Sequence, residues 1–163
     1  MVNTLDENKP DNIKIFSDLP EFKINGGSIP PDIIVTNSRP DLVILDTATT
    51  PQTIYLCELT VCFEKAGNFE AAHLRKKQRY AGLKSDLEEK GFTVYNLPFE
   101  VGSRGHISLE NKSIIGTIHK TCKTPVKLKR FYENICKTSL LCSYAIYLSR
   151  GDPWTTTNLL SPV

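Results

Sequence analysis

The order of apolar runs and polar breaks predicts most of the elements of this chain. Ile13 to Ser17 alternates and reads as a short strand, and Ile24 to Pro31 is a turn cluster of Gly, Ser and Pro. Asp41-Leu-Val-Ile-Leu-Asp46 is a continuous apolar run of strand length. A Thr- and Pro-containing connection follows, and Ile54 to Val61 forms a second such run. Polar and apolar residues then recur with helical period from Asn68 to Glu89, and Gly91 supplies a natural stop. Phe92 to Leu97 is a third strand of this set, which Pro98 is expected to end. Residues 111–120 suit a short helix, and Lys127 to Arg150 suits a long one. Residues 1–12 read as a flexible lead-in and 151–163 as a polar tail, which leaves one domain over 13–150. Strand hairpin, crossover helix, strand and terminal helix together predict an α/β fold.

Composition narrows the class. Of 163 residues, 40% are hydrophobic and 23% charged, values of an ordinary globular protein rather than a disordered one. No apolar run reaches the roughly 18 residues that suggest a membrane helix, and the first residues do not resemble a signal peptide. The expected setting is therefore intracellular, nuclear or cytoplasmic, without membrane contact. Five cysteines with no Cys-x-x-Cys spacing fit reduced, mostly buried thiols and give no zinc pattern.

The net charge of +2 conceals an asymmetry. Residues 1–50 carry four basic and eight acidic side chains, whereas residues 111–163 carry eight basic and two acidic. A basic C-terminal part of this kind can follow a nucleic-acid backbone without reading its sequence.

The candidate chemistry lies in the hairpin and the helix after it. If the hairpin turns symmetrically about Thr49 and Thr50, Asp41 faces Glu58 across the strands. Directly opposed residues have Cβ atoms about 4.5–5.5 Å apart, and two carboxylates that close repel unless a cation lies between them. A divalent ion such as Mg²⁺, or Mn²⁺, suits that place, because it takes one or two carboxylates and completes its shell with water and phosphate oxygens. Glu58 stands among apolar neighbours, where an unpartnered acid is costly. On the helix, Phe69, Ala72, His73, Tyr80, Leu83 and Leu87 all fall within about 60° of Lys76. Lys76 thus sits at the centre of the inward stripe, within reach of the carboxylate pair. Two carboxylates, a metal and a lysine suit phosphodiester hydrolysis.

At these residues the chain resembles the PD-(D/E)-x-K, or restriction-endonuclease-like, nuclease superfamily, through Arg39-Pro-Asp41 followed by Glu58-Leu-Thr60. A longer set is similar to the nuclease-like domain near the C-terminus of reverse-transcriptase-bearing mobile-element proteins. It comprises Arg39 to Asp46, Glu58 to Glu64, Ala72 to Tyr80 and Glu100 to Gly105, with Gly26 to Pro31 upstream. The resemblance implies a mixed sheet of about four strands flanked by helices. It also implies a metal site of Asp41, Glu58 and the Leu59 carbonyl, with Lys76 as the catalytic lysine. The implied function is a metal-dependent DNA endonuclease that nicks target DNA for a retroelement.

Two departures from the pattern favour a catalytically inactive module that binds nucleic acid or a partner. Thr60 stands where the motif lysine would be, and residues 1–12 offer no counterpart of the superfamily's first helix. His73, Arg75, Lys77 and Arg104 are the candidate contacts to nucleic acid, DNA ahead of RNA, and a homodimer is compatible with either reading. Glu64 and Glu100 are expected at solvated strand ends, and Trp154 to pack. A third reading is an unrelated α/β binding protein whose acids are structural.

Overall fold

A computed structural model describes residues 1–7, 9–19 and 29–149. Most of the turn cluster at Ile24 to Pro31 lies outside them, as do Arg150, the 151–163 tail and Trp154. Among the described residues the elements run α1 (Val2–Asp6), β1 (Ile13–Ser17), β2 (Leu42–Asp46), β3 (Thr53–Cys62), α2 (Asn68–Arg79), α3 (Ala81–Glu89), β4 (Thr93–Gly102), α4 (Leu109–Thr121) and α5 (Leu128–Leu148). The fold is α/β, with a mixed sheet in the order β1-β2-β3-β4. The first three strands are antiparallel neighbours, and β4 joins β3 in parallel after the helical crossover. No described helix is long and apolar enough to cross a membrane.

Each face of the sheet has its own core, as the alternation of side chains along a strand requires. On one face, Val43, Leu45, Ile54, Leu56 and Val94 pack against Tyr80, Leu83 and Leu87 of the crossover. On the other, Leu42, Ile44, Cys57, Phe99 and Val101 meet Ile115, Ile118, Phe131 and Ile135 of α4 and α5. Covering both faces with helices explains why β2 from Leu42 to Leu45 and β3 from Ile54 to Cys57 run without polar alternation.

Four local expectations differ from the structure. The lead-in contains a helical turn, α1, whose Val2 and Leu5 are buried in the second core. The predicted helix from Asn68 to Glu89 is two helices. Tyr80, at φ −104° and ψ 11°, leaves helical geometry, and its ring is buried at the junction. Pro98 does not end β4, which continues to Gly102. β4 is an edge strand, so a residue without an N–H is tolerated on its unpaired side. That continuation buries Glu100, which is 2% exposed instead of solvated. Cys57, Cys62 and Cys122 are buried free thiols, and Cys136 and Cys142 are half-buried.

Phe99 is fully buried between β4 and the α4–α5 layer. Phe99→Ala is expected to lower unfolding stability by about 3–5 kcal/mol, the range for a large core aromatic replaced by alanine. Urea denaturation followed by far-UV circular dichroism measures it.

Candidate active site

The β2–β3 register is Leu42 opposite Cys57 and Asp46 opposite Thr53. Extended by one pair, it sets Asp41 against Glu58, the symmetric turn expected from the sequence. The pair is held by its own backbone. The Asp41 amide donates to Glu58 Oε1 at 3.1 Å, and the Leu59 amide donates to Asp41 Oδ2 at 3.0 Å. Ser17 of β1 adds a third tie, donating its hydroxyl to the Asp41 carbonyl at 2.7 Å. The Leu59 carbonyl projects from the same edge of β3 as its N–H, as in any extended residue, so it borders the same space.

Lys76 reaches this pair from α2. Its Nζ lies 2.5 Å from Glu58 Oε2, with Glu58 buried and Lys76 largely so. The charged pair is what makes a buried glutamate tolerable, since removing either partner leaves an uncompensated charge. The Asp41 carboxyl is raised above its ordinary range, first by partial burial and then by repulsion from Glu58, with the Leu59 amide and Lys76 opposing. Tyr80 closes the rear of the site. Its hydroxyl donates to the Arg39 carbonyl at 3.0 Å, and its pKa is raised by burial and by the neighbouring Glu58.

These positions suit a divalent cation. Repulsion from Glu58 helps to raise the Asp41 carboxyl, and a divalent cation between the two carboxylates would relieve it. Among the described residues no three His, Cys, Asp or Glu side chains converge as a ligand set. Asp41, Glu58 and the Leu59 carbonyl amount to two carboxylates and a main-chain oxygen, a set compatible with the partial shell that Mg²⁺ takes when substrate and water supply the rest.

The candidate contacts to nucleic acid are not all free. Arg75 and Lys77 are exposed on α2. His73 turns inward, with Nδ1 3.3 Å from Glu100 Oε2. Arg104 is exposed, but its Nε lies 3.1 Å from Glu64 Oε2.

Two acids gain roles that their sequence positions did not show. Glu100 has its pKa raised, chiefly by burial, while His73 opposes the rise. Its Oε1 and the hydroxyl of Thr60, its partner in the β3–β4 register, are both buried without a hydrogen bond. Glu64 receives the Arg104 amide at 2.8 Å and the Ser103 hydroxyl at 3.2 Å. Burial pushes the Glu64 carboxyl up, but Arg104 and Ser103 outweigh it and hold it at about 2. Gly102 makes this approach possible, because a Cβ there would collide with the Glu64 carboxylate.

No family model, curated protein or solved structure matches this chain.

Lys76→Met is expected to destabilise the fold by about 3–5 kcal/mol by stranding the Glu58 charge, and Glu58→Gln added to it to recover part of that loss. Guanidinium denaturation of the two variants at pH 7 tests both. Glu64 has a folded pKa near 2, below its ordinary 4.5. Its contribution is therefore complete above pH 4.5 and is lost as the pH falls towards 2. Glu64→Gln should be less stable than the parent at pH 7, with the gap narrowing over that window in thermal melts.

Proposed function

We propose that this protein is a divalent-metal-dependent endonuclease domain that hydrolyses phosphodiester bonds in DNA. The observation that carries the reading is the convergence of Asp41, Glu58 and Lys76 at one end of the β2–β3 hairpin. The resemblance of the same residues to the PD-(D/E)-x-K superfamily, and of the wider set to the nuclease-like domain of retroelement proteins, supports it.

Asp41, Glu58 and the Leu59 carbonyl would hold Mg²⁺ or Mn²⁺. When bound, the metal polarises the phosphoryl oxygen and lowers the pKa of a water ligand. The side chains do the remaining work. The Leu59 amide orients the Asp41 carboxylate, and the Asp41 amide orients that of Glu58. Lys76 brings a fixed positive charge where negative charge grows on the phosphate, and its ammonium can donate a proton or a hydrogen bond there. The amine comes from α2, so Thr60 on the strand does not by itself remove the lysine function.

A second reading follows from the same contact. The Lys76 amine is engaged with Glu58 at 2.5 Å, and a lysine committed to its own acid fits a silent nuclease-like module that binds nucleic acid or a partner. It predicts salt-sensitive DNA binding without strand cleavage.

Supercoiled plasmid incubated with the protein and Mg²⁺ or Mn²⁺ separates the two. The endonuclease reading expects nicked circles, no nicking by Asp41→Ala, and nicking slower by at least about 100-fold for Lys76→Met. Binding without nicking by the parent protein selects the second reading.

A further inference from the structure

Beside the carboxylate pair, a polar depression of about 420 Å³ is lined by Thr36, Asn37, Ser38, Arg39, Arg79 and Tyr80. Its walls come from the loop that leads into β2 and from the junction between α2 and α3. The Tyr80 hydroxyl, bonded to the Arg39 carbonyl, pins these walls together. We infer that this depression is a phosphate subsite. It would take a backbone phosphate of the nucleic-acid strand whose neighbouring phosphate is presented to Asp41 and Glu58.

Charge is the first support. Arg39 and Arg79 are both exposed, and among the described residues neither is paired with a carboxylate. Asp41 accepts the Leu59 amide and Glu58 holds Lys76, and neither acid forms an ion pair with these guanidiniums. Arg79 lies over the Tyr80 ring, its Cζ 5.8 Å from the centroid, a cation–π placement that leaves the guanidinium charge unneutralised. Two uncompensated guanidiniums in one depression form a planar, many-donor surface suited to phosphate oxygens.

Lining chemistry is the second support. Besides the arginines, the walls present hydroxyls and an amide, groups that commonly donate to phosphate oxygens, and no acid. The Thr36 hydroxyl accepts the Ser38 amide at 3.1 Å, so the loop is shaped by its own hydrogen bond. Position is the third. Arg39 precedes Asp41 by two residues, a backbone span of at most about 7 Å, so a strand held here leads directly to the carboxylates. Arg75, Lys77 and Arg104, the cations expected from the sequence, do not line this depression.

The subsite rests on the endonuclease reading only in taking nucleic acid as the ligand. The test therefore measures binding apart from cleavage, by fluorescence anisotropy of a labelled DNA duplex in metal-free buffer across a salt series. The Arg39→Gln/Arg79→Gln double variant should bind about tenfold or more weakly, with a salt slope shallower by about one, as expected when one phosphate contact is lost. Asn37→Asp, nearly isosteric, puts a negative charge in the depression and should weaken binding without removing an arginine. Lys14→Gln removes an exposed charge at the far end of the β1–β2 pair and should leave the slope unchanged. Thermal melts of each variant confirm folding. Parent-like affinity and slope in both the double variant and Asn37→Asp would overturn the subsite. So would equal losses from Lys14→Gln, or binding of inorganic phosphate by the parent in calorimetry without DNA binding. Binding that falls as expected while the parent never nicks plasmid retains the subsite and rejects the nuclease.

Discussion

The arrangement of this protein turns on a buried carboxylate that has to be neutralised. Glu58 lies within β3 at 1% exposure, where an isolated charge would oppose folding. Lys76 supplies the compensation, and supplying it aims α2 at the strand. The same demand accounts for a charged residue at the centre of the inward face of α2, where an apolar residue would otherwise pack. The break at Tyr80 then lets the crossover continue as α3, whose Leu83 and Leu87 cover the other end of that face.

Much of this was legible in the sequence. The hairpin register followed from counting outward from Thr49 and Thr50, because an antiparallel pair with a symmetric turn leaves no freedom in which residues meet. The inward position of Lys76 followed from helical period, which the break at Tyr80 disturbs little, since Leu83 and Leu87 of α3 still bury against the same core as Tyr80. The α/β class came from strand-length apolar runs separated by a helical segment, a pattern that tertiary context rarely reverses.

The rest depended on partners distant in sequence. Pro98 is a strand breaker only where both sides of the strand are paired, and its place at the sheet edge is a property of the assembled sheet. Misplacing that end hid Glu100. Once β4 is allowed through the proline, Leu97, Phe99 and Val101 alternate with Pro98, Glu100 and Gly102, and the inward acid becomes visible. His73 was similarly ambiguous, since only the position of Glu100 decides which way its ring is drawn. The arginine-lined depression was beyond sequence reasoning because its walls, residues 36–39 and 79–80, are brought together by the Tyr80 to Arg39 contact.

Gly102 and Glu64 carry a consequence in evolutionary terms. The glycine has no side chain because the glutamate occupies that volume, and the glutamate is held there by the turn that follows the glycine. A change at either position bears on the other. A side chain at 102 requires the Glu64 carboxylate to move, and loss of the acid leaves the Ser103–Arg104 turn without its acceptor. In a lineage descended from this chain the two positions should covary, with glycine released from its constraint wherever residue 64 ceases to be acidic.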